Sequence, residues 1–96
     1  MPMTETMYYI LLSLLEPRHG YGIILNVRAI TGGRLNIAPG TIYNSLGRLL
    51  REGIIEAAGG DSRRRLYTVT ETGREALHTE VARLKELSRN GETSEI

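Results

Sequence analysis

One segment of the chain, GTIYNSLGRLLREGII at residues 40–55, separates polar from apolar side chains at helical spacing. Ile42, Leu46 and Leu49 recur at i, i+4 and i+7, which places them on one face of an α-helix. The residues that gather on the opposite face are polar or small: Thr41, Asn44, Gly47, Arg48 and Arg51. Arginine can pair with phosphate or with the O6/N7 edge of guanine, and asparagine can pair with adenine. The chemistry of this second face is therefore that of nucleic-acid recognition.

Three residues of this segment have further roles open to them. Thr41 falls in the first helical turn, where backbone N–H groups and the positive end of the helix attract phosphate. Gly47 lowers helix propensity by about 1 kcal/mol relative to alanine, but it lets a partner approach closely. Tyr43 lies between the two faces. Its hydroxyl could reach a phosphate, or its ring could be a half-buried wedge against the preceding helix.

Three consecutive arginines, Arg63, Arg64 and Arg65, form a second cationic group. They end a glycine-bearing loop and precede a short β-like segment, so we expect them at the tip of a hairpin. Three like charges side by side repel each other unless a negative partner is present, and the DNA backbone is such a partner. Two alternatives stay open: a solvated turn, and an Arg65 side chain that points inward or pairs with Glu56.

The charge of the chain is unevenly distributed. Residues 17–70 hold eight arginines and three carboxylates, a net +5, whereas residues 1–16 and 71–96 each carry a net −2. Of the 12 basic residues 11 are arginine, whose planar guanidinium suits phosphate and guanine better than lysine does. The middle of the chain thus has the charge expected of a DNA-binding surface, although a solvated mixed surface would have the same composition.

The reactive side chains argue against catalysis. The chain has no cysteine, one aspartate and two histidines, and His19 and His78 are not at metal-ligand spacing. An enzyme needs a convergent set of titratable groups, so we expect no catalytic residue, no metal and no cofactor. The apolar run Met7–Leu15 is too short to span a bilayer and no export signal accompanies it, so we expect a cytoplasmic protein.

Hydrophobic period and capping residues place the elements that hold these groups. The predicted elements are helices from after Thr4 to about residue 15, over 21–30 and over 39–53, strands over 54–58 and 65–69, and a helix to about residue 89. The loop between the strands is GGDSRR. Thr70 and Thr72 are alternative caps of the fourth helix. Asn90-Gly91 is expected to end it.

The order helix, helix, helix, hairpin, helix is that of a winged helix-turn-helix. We therefore predict an α+β, mostly α fold with three helices, a two-stranded β wing and a C-terminal dimerisation helix. The expected boundaries are 1–70 for the winged helix-turn-helix, 71–90 for the C-terminal helix and 91–96 for a flexible tail. In this fold the apolar face of the third helix packs on the core, and its polar face is free to enter a major groove.

The fourth helix is longer than the small core needs, and its apolar stripe predicts a second subunit. The residues expected at the dimer interface are Leu77, Val81, Leu84 and Leu87. The alternative is a monomer with this helix folded back. A two-fold dimer would place its recognition helices about 34 Å apart and prefer a palindromic operator. A small-molecule effector would lie between the first and fourth helices, near Tyr8, Tyr9 and Val81, where small movements change the half-site spacing.

Three stretches of the chain together resemble the PadR-type family of bacterial transcription regulators: HGYG at 19–22, APGTIYNSLGRLLREGII at 38–55 and RRRLYTVTETGREAL at 63–77. The resemblance runs from about Met7 to Leu77, and its single C-terminal helix is similar to the family's shorter branch. It implies a dimeric winged-helix repressor that a small molecule or other signal releases from its operator. By this resemblance Thr41, Tyr43 and the polar face of the third helix read DNA, and the wing arginines contact its backbone.

A winged helix that binds another protein, with no role at DNA, is the competing interpretation. It would explain the order of elements, but not the polar face of the third helix or the arginine triplet. Charge reversal at Arg48 and Arg51 separates the two, because only a DNA binder would lose affinity and salt dependence. The function predicted from the sequence is a sequence-specific transcriptional regulator, a dimeric repressor relieved by an effector.

Overall fold

Four helices and one antiparallel β-hairpin pack around a single core in the computed structural model, which describes residues 2–96. The elements are, in chain order, α1 (Glu5–Ser13), α2 (Gly20–Ile30), α3 (Pro39–Arg51), β1 (Ile55–Gly60), β2 (Arg65–Val69) and α4 (Glu71–Glu92). This order confirms the predicted mostly helical winged helix-turn-helix class. Within residues 2–96, no helix combines the length and the apolar content that crossing a membrane requires.

Threonine side chains begin two of the helices. Thr4 Oγ1 accepts a hydrogen bond from the Met7 N–H at 3.1 Å, and Thr70 Oγ1 accepts one from the Gly73 N–H at 3.1 Å. Each bond satisfies a backbone donor that has no partner inside its own helix. Thr70 is therefore the cap of α4, and Thr72, the other candidate, lies within the helix.

The core holds α3 by one face. Ile42, Leu46 and Leu49 are at most 2% exposed, which confirms the predicted apolar face of this helix. The residues that share the core with them come from every other element: Ile10, Leu11, Leu14, Ile23, Ile24, Val27, Ile37, Ile55, Val69 and Leu77. Burial of one face fixes the rotation of α3 about its own axis, so the polar face must point away from the core.

The C-terminal end of α1 is hydrogen-bonded to β2. The Leu14 carbonyl accepts bonds from the Val69 N–H and the Thr68 hydroxyl, both at 2.9 Å. Just after it, Arg18 and Tyr67 exchange backbone N–H···O bonds of 3.1 and 2.9 Å. The chain leaves the helix to make these bonds, which explains why α1 ends about two residues earlier than predicted.

β1 is longer than the sequence pattern predicts. The register shifts between Ala57 and Gly60, so that Gly60 pairs with Arg65. Gly59 and Gly60 have φ of +96° and +93°, which glycine adopts without strain, and they carry the strand through this irregularity. The loop at the tip of the wing is therefore confined to residues 61–64.

α4 continues through Asn90 and Gly91 to Glu92, so the predicted helix end is wrong. Gly91 keeps a helical backbone instead of the left-handed conformation of a C-cap, and the Thr93 N–H closes the helix on the carbonyls of Arg89 and Gly91. Asparagine and glycine are tolerated in a last turn, because their low propensity costs only about 1 kcal/mol there. The first half of α4 packs on α1 and β2, and its second half is mostly exposed.

Candidate nucleic-acid interface

The outward face of α3 carries the polar residues that were predicted there. Asn44, Arg48 and Arg51 are exposed and share one open cleft of about 430 Å³. The cleft is lined by Tyr43, Asn44, Ser45, Gly47, Arg48 and Arg51. It contains two guanidinium groups and an amide and no carboxylate, so it is suited to a negatively charged partner with hydrogen-bonding edges.

The two arginines of this face are weakly engaged within the chain. Arg48 Nε lies 3.8 Å from the Glu52 carboxylate, and both side chains are about half exposed. Such an exposed i,i+4 pair is worth about 0.3–0.5 kcal/mol, so a phosphate would readily replace it. Arg51 forms no ion pair with any carboxylate of residues 2–96.

Packing within the described residues does not require a glycine at position 47. A Cβ built on it would meet only the Nη1 atom of Arg51, at an ordinary contact distance of 3.4 Å. Glycine still lowers helix propensity here by about 1 kcal/mol relative to alanine. The small size of Gly47 therefore matters on the outer side of α3, where it leaves room for the close approach of another molecule.

The first turn of α3 is open to solvent at Thr41, which is exposed. The N-cap residue Ala38 makes no side-chain hydrogen bond to the helix, and Pro39 has no N–H. The N–H groups of Gly40 and Thr41 therefore lack a side-chain cap. An anion beside Thr41 would meet free donors and the positive end of the helix.

Tyr43 fits both of the roles that the sequence left open, because its ring packs on the preceding helix and its hydroxyl stays exposed. Its ring lies against Gly20 at the start of α2, where an added Cβ would be 3.1 Å from Cε1 and 3.3 Å from the hydroxyl oxygen. The side chain is still 61% exposed, so the hydroxyl remains accessible. Gly20 is a site residue that the sequence analysis did not identify. Its signal is a glycine at a helix start with no positive φ to require it.

The wing brings its arginines to the edge of the α3 face. Arg63, Arg64 and Arg65 are exposed and line a groove of about 170 Å³, which we call the wing groove. The other residues that line it are His19, Gly20, Tyr43, Ser62 and Tyr67. Tyr43 borders both the wing groove and the α3 cleft, so two cationic groups that are distant in sequence meet across one tyrosine.

The hairpin register answers the question left open for Arg65. Arg65 lies opposite Gly60, whereas Glu56 lies opposite Thr68. Neither Arg65 nor its two arginine neighbours forms an ion pair with a carboxylate of residues 2–96. The alternative of an Arg65–Glu56 pair is therefore wrong, and the triplet presents three exposed guanidinium groups that are not held in ion pairs.

Asp61 holds the tip of the wing in one conformation. Its Oδ1 accepts the backbone N–H groups of Arg64 and Arg63, both at 2.8 Å. These two bonds hold the pKa of Asp61 below its ordinary value, and the Arg64 charge adds to the effect. Gly60 before it has no room for a side chain, because a Cβ would lie 2.1 Å from the Arg64 carbonyl oxygen.

A separate cleft of about 320 Å³, the α1–α4 cleft, lies on another part of the surface. Tyr8 and Tyr9 line it, with their rings edge to face at a centroid distance of 5.7 Å. Val81, which was predicted beside these tyrosines, does not line this cleft. Because Val81 is one position after Glu80, it is turned about 100° around α4 and borders a neighbouring depression instead.

Glu80 is a buried carboxylate in the α1–α4 cleft that the sequence analysis did not identify. It is 5% exposed, and its two oxygens accept bonds from Arg83 Nε and Nη2 at 2.9 and 2.7 Å. The Arg83 guanidinium lowers the pKa of Glu80, since hydrogen bonding and charge both favour the ionised form. The i,i+3 spacing of the pair was its only signal in the sequence.

The four residues predicted at a dimer interface differ in burial. Leu77 is buried in the core of its own chain, so its assignment to an interface is wrong; the first half of α4 packs on α1 and β2. Val81 is half-buried. Leu84 and Leu87 are 37% and 53% exposed, and they lie on the half of α4 that extends past the core.

Metal ligands do not converge in the part of the chain that the structure describes. No group of three or more His, Cys, Asp or Glu side chains in residues 2–96 could hold an ion. The two histidines lie on different surfaces, His19 in the wing groove and His78 in the depression beside Val81.

Several known proteins are similar to this chain. The family model described as "Transcriptional regulator PadR-like family" matches residues 10–79. A transcriptional regulator from Clostridium thermocellum is 26% identical with a TM-score of 0.70, over 96% of this chain and 99% of that one. PadR of Bacillus subtilis, solved in complex with operator DNA, is 25% identical with a TM-score of 0.64, over 82% of this chain and 47% of that one. An uncharacterised 37.1 kDa transposon protein of Streptomyces fradiae is 33% identical over 72 residues, and the chain spans about a fifth of the length of this curated relative.

Proposed function

The chain belongs to the PadR-like family of transcriptional regulators, and on that premise we propose that it is a homodimeric repressor that binds a palindromic operator. This family is one of regulators, which confirms that the chain is not an enzyme. The observation that carries the proposal is the meeting of the α3 cleft and the wing groove at Tyr43. Two cationic surfaces on one side of a winged helix suit a major groove and its flanking phosphates.

The residues of this surface divide into two kinds of contact. We propose that Asn44, Arg48 and Arg51 on α3 meet base edges, which their position in the cleft opposite the core supports. For Thr41 and the wing arginines we propose contacts to phosphates, which set orientation without reading sequence. In the operator complex of the Bacillus subtilis relative, the bound ligand is DNA, and we infer the same class of ligand for this chain.

Dimerisation is proposed through the second half of α4. Leu84 and Leu87 present apolar surface there at i, i+3 spacing, and Val81 one turn earlier extends the stripe. Pairing this stripe with its copy would remove from water side chains that the chain itself leaves exposed. A two-fold pair would set the two α3 helices about 34 Å apart, one turn of duplex.

Release by an effector is proposed at the α1–α4 cleft. Its volume of about 320 Å³ suits a small molecule, and Tyr8, Tyr9 and Leu84 supply aromatic and apolar surface. A ligand seated there would shift α1 against α4 and so change the spacing of the two recognition helices. A regulator of this kind would act on DNA in the cytoplasm.

Fluorescence anisotropy with a duplex from upstream of the chain's own gene tests the proposal. We expect tight binding that weakens steeply with salt and exceeds binding to a scrambled duplex. The charge reversals Arg48→Glu and Arg51→Glu should abolish the preference, because they place carboxylates in the α3 cleft. Lys85→Glu is the matched control, since it reverses an exposed positive charge on α4 and changes the net charge by the same amount.

Each alternative has a distinct result. Salt-dependent binding with no sequence preference would point to an operator elsewhere in the genome and would contradict regulation of the chain's own gene. The DNA proposal would be contradicted if no duplex is bound at low salt. It would also be contradicted if the affinity for duplex DNA is unchanged by the two reversals. Either outcome would favour a winged helix whose polar face binds protein.

A further inference from the structure

Asp61 places a negative charge beside the surface that is proposed to bind DNA, where electrostatics alone disfavours a carboxylate. It is the first residue of the wing-tip loop, next to an arginine triplet whose proposed partner is phosphate. A carboxylate so close to DNA repels it, so its removal should strengthen binding if charge alone matters. The hydrogen bonds of Asp61 point to the opposite result.

The side chain of Asp61 is engaged by backbone groups. Its Oδ1 accepts the N–H groups of Arg63 and Arg64, both at 2.8 Å, and its own N–H donates to the Arg64 carbonyl at 3.2 Å. An aspartate that accepts bonds from residues two and three positions later closes a tight turn of the chain. Three bonds therefore define the backbone from which the arginine side chains project.

Asp61 lies outside the wing groove that the triplet lines. Arg63, Arg64 and Arg65 all line this groove together with Tyr43, and Asp61 does not. Asp61 borders a neighbouring depression beside Ala57 and the glycines of β1, and Arg65 lines that depression as well. All three arginines therefore border the groove that holds Tyr43, while the carboxylate whose turn orients them lies outside it.

We propose that Asp61 is a positioning residue for DNA binding: it closes the wing-tip turn, holds the arginine triplet in the wing groove and raises the affinity for DNA. This inference rests on the proposed function, since it assumes that the triplet contacts phosphate. Without the turn, each binding event would also have to order the backbone of the loop, and that additional loss of entropy lowers affinity.

Two substitutions at one position separate the turn from the charge. Asp61→Ala removes the acceptor and the charge, whereas Asp61→Asn removes the charge but keeps an oxygen that can accept both N–H bonds. We expect Asp61→Ala to weaken binding to a duplex of about 30 base pairs roughly fivefold, which is the change in an equilibrium constant that the net loss of about one hydrogen bond produces. Asp61→Asn should bind as tightly as the unmodified chain or more tightly.

Matched controls address charge and folding. Glu56→Ala removes a carboxylate from the same hairpin without touching the turn, so it should leave affinity unchanged or raise it. Amide hydrogen exchange at Arg63 and Arg64 should quicken in Asp61→Ala and not in Asp61→Asn. Circular dichroism should show both Asp61 variants to be as helical as the unmodified chain.

The outcomes distinguish this inference from its premise. If the triple variant Arg63→Ala, Arg64→Ala, Arg65→Ala loses affinity but Asp61→Ala binds as tightly as Asp61→Asn, the positioning role is refuted and the wing contact stands. If the triple variant binds normally, the wing contact is refuted and the inference falls with it. Asp61→Ala added to the triple variant should cause no further loss, because no arginine is left to position.

Discussion

Replacing Gly20 with alanine should lower affinity for DNA without lowering stability. The added methyl would lie 3.1 Å from Cε1 of Tyr43 and 3.3 Å from its hydroxyl oxygen. Carbon atoms prefer separations of about 3.5–4.0 Å, so the ring must retreat by roughly half an ångström. Tyr43 is 61% exposed, and it can move outward without disturbing the core.

The expected loss of DNA affinity can be estimated from the displacement of the Tyr43 hydroxyl. Alanine at a helix start is favoured over glycine by up to about 1 kcal/mol, so the unfolding free energy should stay constant or rise. A hydrogen bond to a charged group contributes about 1.5–3 kcal/mol, and a displaced hydroxyl keeps only part of it. We therefore expect affinity to fall by about three- to tenfold for each subunit.

Anisotropy and urea unfolding of three variants test this reasoning. Tyr43→Phe removes the hydroxyl alone and should weaken binding by at least as much as Gly20→Ala. Gly91→Ala is the matched control, because a Cβ there meets no atom within 4 Å and lies near the end of α4. The steric reasoning is refuted if Tyr43→Phe weakens binding and Gly20→Ala does not. If neither does, Tyr43 makes no DNA contact.

The remaining predictions concern assembly, packing and acid stability. Leu84→Asp should convert a dimer to a monomer in sedimentation velocity, because it places a charge in the exposed apolar stripe of α4. Gly73→Ala should reduce the unfolding free energy by about 3 kcal/mol in urea, since its Cβ would lie 2.3 Å from the Ile54 carbonyl oxygen, which is backbone and cannot yield. Glu80→Gln should destabilise the chain at neutral pH. Because Arg83 lowers the pKa of Glu80 in the folded state, the stabilisation exists above the ordinary pKa of glutamate and disappears as pH falls through the lowered value.

Each of these predictions has a matched control. Lys85→Asp adds acid one residue from the stripe and should leave the dimer intact, so a dimeric Leu84→Asp would exclude this face of α4. For Gly73→Ala the control is Gly91→Ala, which should be neutral or stabilising. An unfolding free energy of Gly73→Ala equal to that of the unmodified chain would contradict the packing argument. Glu86→Gln should show no pH-dependent difference from the unmodified chain. A loss in Glu80→Gln that is constant from neutral to acidic pH would mean that charge is not its cause.

Local patterns in the sequence were sufficient to predict the two faces of α3. Residues such as Ile42 and Leu46 repeat at the helical period, and burial of one face dictates where the other points. Caps at Thr4 and Thr70 also act locally, through a side chain that reaches three residues along the chain. The hairpin and its arginine tip were predictable for the same reason, because turn chemistry is local.

Long-range contacts were not predictable from one sequence. The ring of Tyr43 meets Gly20 from another helix, and nothing in either segment records that proximity. In the sequence, Leu77 and Val81 belong to one apolar stripe. In the structure, Leu77 is buried in the core of the chain, whereas Val81 is only half-buried. The burial of Glu80 depends on how α4 docks on α1, which periodicity cannot specify.

The hydrogen bonds between the end of α1 and β2 join the two elements at Leu14, so that a rotation of one about this point would also rotate the other, as in a lever with two arms. One arm is α1 itself, about 9 Å from Tyr8 to the pivot at Leu14 at 1.5 Å per residue. The other is β2, about 13 Å from Val69 to Arg65 at 3.3 Å per residue. If the joined elements turn as one body, a displacement of about 1 Å at the tyrosines becomes about 1.5 Å at the wing arginines. A displacement at the α1–α4 cleft would thus be larger when it reaches the wing groove, within a single chain and before any change in the spacing of subunits.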